Sequence, residues 1–153
     1  MDGVLYKMRD IIFIGDGLGV RTFPAKCLGL NVLGTDTSKW AIEHSYCKDS
    51  MIIDDISNTQ ITEMAKLLVV YDILEHLDNN QLDRALENIS KLAKNFVISV
   101  PYIGDPNLLA DKTHKQFMTK QQWIDKIQEF GIIVKDAPKE WLFANQILVG
   151  EKT

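Results

Sequence analysis

Apolar and polar positions along the chain follow two alternating rhythms. Short, nearly continuous apolar runs predict strands at residues 10–14, 31–35, 50–53, 66–71 and 95–100. Between them lie helical spacings. Residues 22–28 predict a helix with Pro24 in its first turn and Gly29 at its stop. Ser38 caps a short helix running to Tyr46. Residues 57–65 leave room only for a turn or one or two helical turns. Asp78 and Gln81 form a capping-box pair ahead of Leu82, Ala85, Leu86, Ile89 and Leu92. Thr119 and Gln122 open another helix, with Trp123, Ile124, Ile127 and Phe130 inward and Gly131 closing it.

Strands alternating with helices predict a parallel sheet covered on both faces. Residues 132–135 and 147–150 break the alternation. A loop rather than a helix separates them, so they are expected to pair antiparallel. Trp141, Leu142 and Phe143 are expected to begin the last strand or to pack beside it. The segment from 102 to 118 reads as a long irregular loop, and such loops in small domains often carry function.

Composition narrows the class. With 153 residues, 46% hydrophobic and 25% charged, one domain over residues 1–153 with a real core is expected. The net charge of −4 disfavours a general nucleic-acid-binding surface. Cys27 and Cys47 show no metal-ligand spacing, so reduced thiols, a cytoplasmic location and no metal site are expected. No apolar run reaches membrane-spanning length, so no membrane partner is expected.

The most informative stretch is Ile11-Ile12-Phe13-Ile14-Gly15-Asp16-Gly17-Leu18-Gly19. A buried strand breaks into glycines at alternate positions, which lets the backbone approach a ligand closely. The next strand ends on Asp36, where a carboxylate can accept from both hydroxyls of a ribose. Together they predict an adenosine-containing cofactor across the ends of adjacent strands.

With these residues the chain resembles the class I S-adenosylmethionine-dependent methyltransferases, of the small-molecule or sugar type. Ile11 to Gly19 matches the family's glycine motif, and Val32-Leu33-Gly34-Thr35-Asp36-Thr37-Ser38 its second motif. Asp55-Ile56 matches the adenine-side motif and Val70-Tyr71-Asp72-Ile73-Leu74-Glu75-His76 the strand-four signature. Asp111-Lys112-Thr113-His114, with Trp123 and Gly131, is similar to a segment of small-molecule and sugar methyltransferases. The resemblance implies a Rossmann-like, doubly wound, three-layer α/β/α fold: a mostly parallel sheet with a C-terminal antiparallel pair. It implies that Gly15, Gly17 and Gly19 line the methionine and ribose, that Asp36 binds the ribose and that Thr37 lies beside the adenine. Asp55 would meet the adenine amino group, with adjacent Asp54 the competing candidate; Ile56 would pack on the ring, and Asp72 would sit near the methionyl group or simply order the loop after strand four.

The chain departs from the family in two places. Phe13 stands where the family carries an acid that fixes the cofactor's amino group, and Asp16 is expected to supply that charge instead. The glycine motif also begins almost at the N-terminus, which implies a truncated N-terminal cap and an open site.

Methyl transfer is an in-line displacement in which the protein mainly supplies alignment and, for an oxygen nucleophile, a base. His76 and His114 are the candidate bases. His76 also has a backbone-bonding explanation, and His114 a loop-ordering one. Glu75 is a candidate for positioning the acceptor, or simply a carboxylate near a helix start. Tyr102 either lines the acceptor pocket or covers the sheet end. His44 reads as solvated.

The expected partner is a small-molecule acceptor, with a macromolecular one open, and the chain a monomer or homodimer. The rivals are a non-catalytic S-adenosylmethionine-binding module, a protein or nucleic-acid methyltransferase, and an NAD-dependent oxidoreductase. The last is disfavoured because Val20 stands where its fingerprint asks for glycine or alanine.

Overall fold

A computed structural model describes residues 8–141 and 146–153. The expectations for the N-terminal cap and for Leu142 and Phe143 fall outside these residues. Seven strands among them form one sheet: β1 (Arg9–Ile14), β2 (Val32–Asp36), β3 (Met51–Ile53), β4 (Ala65–Tyr71), β5 (Ala93–Ser99), β6 (Ile132–Asp136) and β7 (Ile147–Lys152). Their order is β3-β2-β1-β4-β5-β7-β6. The first five pair in parallel, and β7 enters antiparallel between β5 and β6. This is the doubly wound sheet with an antiparallel terminal pair that the hydrophobic pattern predicts.

The helices are α1 (Thr22–Cys27), α2 (Lys39–Glu43), α3 (Asn79–Leu92), α4 (Pro106–Ala110) and α5 (Lys120–Gln128). Local chemistry fixes their starts. Ser38 Oγ accepts from Ala41 N, and both predicted capping boxes form, Asp78 with Gln81 and Thr119 with Gln122. One face of α3 buries Leu82, Ala85, Leu86, Ile89 and Leu92 against the middle of the sheet. Trp123 and Ile127 of α5 join the same core, and the Trp123 indole N–H donates to Pro101 O at 3.1 Å. That bond satisfies the one polar atom of a fully buried ring.

The segment from 102 to 118 is not irregular throughout, because it contains α4. It is also tied down. Lys115 N and Gln116 N donate to Glu75 O at 2.7 and 3.1 Å, and Gln116 Nε2 donates to Leu77 O at 2.8 Å. These bonds hold the segment as a wall against the turn that follows β4.

Candidate active site

In an open α/β sheet, ligands bind beyond the carboxyl ends of the strands, beside the point where the strand order reverses. Here that point lies between β1 and β4. Two cavities open there. The first, of about 240 Å³, is lined by Ile14, Gly15, Asp36, Thr37, Asp55 and Ile56 together with Asp54, Ile73, His76 and Leu77. The second, of about 430 Å³, is lined by Asp72, Glu75, His76 and His114 with Pro101, Asp111, Lys112 and others. His76 borders both.

The loop after β1 takes the conformation its glycines permit. Gly15 and Gly17 have φ of 70° and 55°, in the left-handed region. A Cβ on Gly15 would run into the Ile73 side chain, whereas one on Gly17 would meet nothing within 4 Å. Gly17 therefore marks the open side of the loop. Its N–H donates to Asp36 Oδ2 at 2.9 Å, and Ser38 N donates to Asp36 Oδ1 at 2.8 Å. Each carboxylate oxygen has a second lone pair, so Asp36 fastens the loop and still has acceptor capacity beside the cavity.

Asp55 Oδ1 accepts from both Ser57 N and Ser57 Oγ at 2.8 Å, capping the short turn Ile56–Asn58. Neighbouring Asp54 is buried and accepts from Thr59 Oγ1 and Gln60 N at 2.7 and 2.9 Å. Ile56 is buried in the main core while lining the cavity.

Two expectations need correcting. Asp16 is 1% exposed, and its carboxylate accepts from Thr22 N at 2.8 Å and from Arg21 N at 3.1 Å. The Arg21 guanidinium lies 3.4 Å away and also covers the Tyr71 ring at 4.2 Å. The carboxylate is thus committed to the start of α1 and does not replace the acid missing at Phe13. Phe13 itself is buried against Ala25 and Val32. Tyr102 lines neither cavity. It packs on the core with the Lys120 ammonium 5.6 Å from its ring centre, and Pro101 takes its place in the cavity wall.

The turn after β4 gathers the titratable groups that line the larger cavity. Asp72 has φ 54°, a strained value for a residue other than glycine. Its Oδ1 accepts from Ser99 Oγ at 2.7 Å. Glu75 follows in a single helical turn, Leu74–His76, and is 1% exposed. Its Oε2 has no hydrogen-bond partner. Burial pushes its pKa up to about 8, with the nearby Asp72 and Asp111 charges adding to the rise.

His76 Nε2 and His114 Nε2 stand 4.0 and 3.9 Å from Glu75 Oε1, beyond hydrogen-bond reach. Their other ring nitrogens are engaged. His114 Nδ1 lies 2.8 Å from Leu108 O, which can only accept, so Nδ1 carries the proton. His76 Nδ1 lies 2.9 Å from Thr113 Oγ1, and that hydroxyl donates to Asp111 Oδ1 at 2.6 Å. The hydroxyl and backbone N–H of Thr113 hold Asp111 below the usual carboxylate range, so it accepts the hydroxyl's only proton. Thr113 must therefore accept from His76 Nδ1–H. In its neutral form each imidazole therefore presents its lone pair at Nε2. His44 lies apart from this site, exposed and stacked on Trp40.

Sequence reasoning singled out Glu75, His76 and His114 separately, and the structure brings them together. It missed Ile73, Leu77 and Thr113. Ile73 lies within the strand-four signature and Leu77 directly after it. Thr113 offers no signal until the loop is folded.

No protein-family model matches the chain, and no curated protein matches it in sequence. Solved structures do match. A TehB-like SAM-dependent methyltransferase from Corynebacterium glutamicum is 20% identical, with 95% of this chain and 80% of that one covered at TM-score 0.73. Magnesium protoporphyrin IX methyltransferase (ChlM) from Synechocystis, with SAH bound, is 14% identical, covering 95% and 74% at TM-score 0.74. CalS10, a SAM-bound amino pentose methyltransferase from Micromonospora echinaspora, is 8% identical, covering 95% and 84% at TM-score 0.75. At these identities the likeness is one of architecture, and the architecture is that of the class I S-adenosylmethionine-dependent methyltransferases.

Proposed function

We propose that this chain is an S-adenosylmethionine-dependent methyltransferase acting on the hydroxyl group of a small molecule. One observation carries the reading: a nucleoside-sized cleft and a polar, acidic cavity share His76 as a common wall. The SAH-bound and SAM-bound neighbours of the same fold support the cofactor assignment.

Asp36 takes the ribose hydroxyls, Thr37 lies beside the adenine, Asp55 meets its amino group, and Ile56 packs on the ring. Gly15, Gly17 and Gly19 run along the ribose and methionine, with Asp72 towards the methionyl end. The acceptor occupies the larger cavity, positioned by Glu75. The bound cofactor would supply the methyl group to the acceptor oxygen and leave as a neutral thioether. The inward lone pairs of His76 and His114 supply the basicity that releases the acceptor's proton. Two free cysteines, Cys27 exposed and Cys47 buried, fit a reducing, cytoplasmic setting. No described helix is long and apolar enough to cross a membrane.

Calorimetry with S-adenosylhomocysteine and with NAD tests the reading. Heat from the first and none from the second is expected, and loss of the heat in Asp36→Ala. Absence of heat from both S-adenosylmethionine and S-adenosylhomocysteine overturns it.

A further inference from the structure

The groups around Glu75 pose a physical problem that the fold alone does not solve. Glu75, His76 and His114 each bring one ligand atom within 4.8 Å of the others, and Glu75 Oε1 lies 4.0 and 3.9 Å from His76 Nε2 and His114 Nε2. The tautomers argued above leave both nitrogens as lone-pair donors facing a carboxylate oxygen. At 3.9 and 4.0 Å the two Nε2–Oε1 separations are too long for a direct hydrogen bond. The second carboxylate oxygen, Glu75 Oε2, is buried and unpartnered as well. A buried carboxylate oxygen left without a partner costs ~1–3 kcal/mol. A cation held by the three groups would partner the carboxylate and engage both imidazoles together.

We propose that Glu75, His76 and His114 bind one divalent first-row transition-metal ion, whose open positions face the larger cavity and take a hydroxyl oxygen of the acceptor. Two imidazoles and a carboxylate form a donor set suited to such ions, with sites left for exogenous ligands. Donors bound to one ion at ~2.0–2.2 Å stand roughly 3–4 Å apart. The Glu75–histidine separations of 3.9 and 4.0 Å fall at the upper end of that range, and the 4.8 Å spread of the trio has to close slightly on the ion.

The surroundings are arranged as ligating histidines require. A ligating imidazole donates its other N–H to a carbonyl or, directly or through a relay, to a carboxylate, which fixes the tautomer. His114 uses Leu108 O, and His76 reaches Asp111 through Thr113. Access is one-sided. The His114 side chain is 7% exposed and that of His76 34%, so the ion would meet solvent and acceptor from the His76 side. Asp72 and Asp111 line the same cavity and add negative charge near the ion.

The acceptor's role rests on the methyltransferase reading, but the binding of the ion does not. A coordinated hydroxyl ionises more readily, so its proton passes to solvent water and its oxygen attacks the methyl carbon. The ion then takes over the part assigned above to the two imidazoles as bases.

The test uses the full chain freed of metal by chelation and titrated with cobalt(II), followed by visible absorbance. One equivalent is expected to bind with ligand-field bands. His114→Ala and Glu75→Gln are each expected to weaken binding at least 100-fold, and His44→Ala to leave it unchanged. Thr113→Val alters an exposed residue outside the core and keeps the fold testable. It is expected to weaken binding about tenfold or more by releasing the His76 tautomer. Absence of cobalt binding by the wild-type chain, or equal binding by wild type, His114→Ala and Thr113→Val, overturns the proposal. Cobalt binding without heat from S-adenosylhomocysteine would uphold the metal site and reject the cofactor reading.

Discussion

Asp16 and Glu75 are equally hidden, at 1% exposure each, and are wired in opposite ways. Asp16 sits in the glycine loop and receives the N–H groups of Arg21 and Thr22, with a guanidinium alongside. Glu75 sits in the turn after β4, has an oxygen with no donor, and faces two lone-pair nitrogens. A buried carboxylate that is fully bonded stabilises its surroundings, whereas one left unpaired is a cost that the rest of the fold must offset. The glycine-loop half is therefore built to hold a shape, whereas the β4 half keeps an unmet polar group.

The largest test concerns the half that holds shape. Asp36→Ala removes the acceptor that joins the loop to β2. We expect the affinity for S-adenosylhomocysteine to fall about 100-fold or more, since each hydrogen bond to a charged group contributes ~1.5–3 kcal/mol. Calorimetry reads this directly.

Asp16→Asn separates shape from chemistry. It weakens the bonds to Arg21 and Thr22, so denaturant unfolding should show a loss of about 2 kcal/mol. The ligand affinity should change by at least tenfold less than in Asp36→Ala. An equal loss of affinity would return Asp16 to the ligand and break the contrast.

Glu75→Gln should act in the opposite direction. A carboxyl whose folded-state pKa is raised holds its proton more tightly when folded. Its stabilising contribution is complete below about pH 4.5 and is lost as pH rises through about 8. Glutamine has no such dependence. In metal-free protein the variant should therefore melt a few degrees higher than wild type at pH 8.5, with a smaller gain at pH 6. The other titratable groups facing this position, Asp72, Asp111, His76 and His114, are common to both proteins. Melting curves of the pair at the two pH values isolate the effect.

The smallest change is expected at His44, which is exposed and lies outside both halves. His44→Ala should shift stability by no more than about 0.5 kcal/mol.

The contrast also explains what the sequence made legible. Strand runs, capping boxes and the antiparallel terminal pair are local patterns, and they appear in the structure with boundaries shifted by a residue or two. The placement of Gly15, Gly17 and Asp36 was legible because a strand end fixes where its next residues point. Asp16 was expected to stand in for the acid absent at Phe13, and its tie to the start of α1 was not legible because its donors, Arg21 N and Thr22 N, come into place only in the folded loop. The isolation of Glu75 was hidden for the converse reason. It arises when residues 111–118 fold back and bring His114 and the Asp111–Thr113 pair across some forty positions of sequence.

The insertion of β7 between β5 and β6 has a consequence for synthesis. Until residues 147–152 have left the ribosome, β5 has an open edge and β6 has no neighbour to pair with. The parallel half can assemble early, but its flank stays exposed to pairing with other chains. A nascent chain stalled shortly after Asp136 should depend on chaperones, and that dependence should end once the final strand slides into the gap.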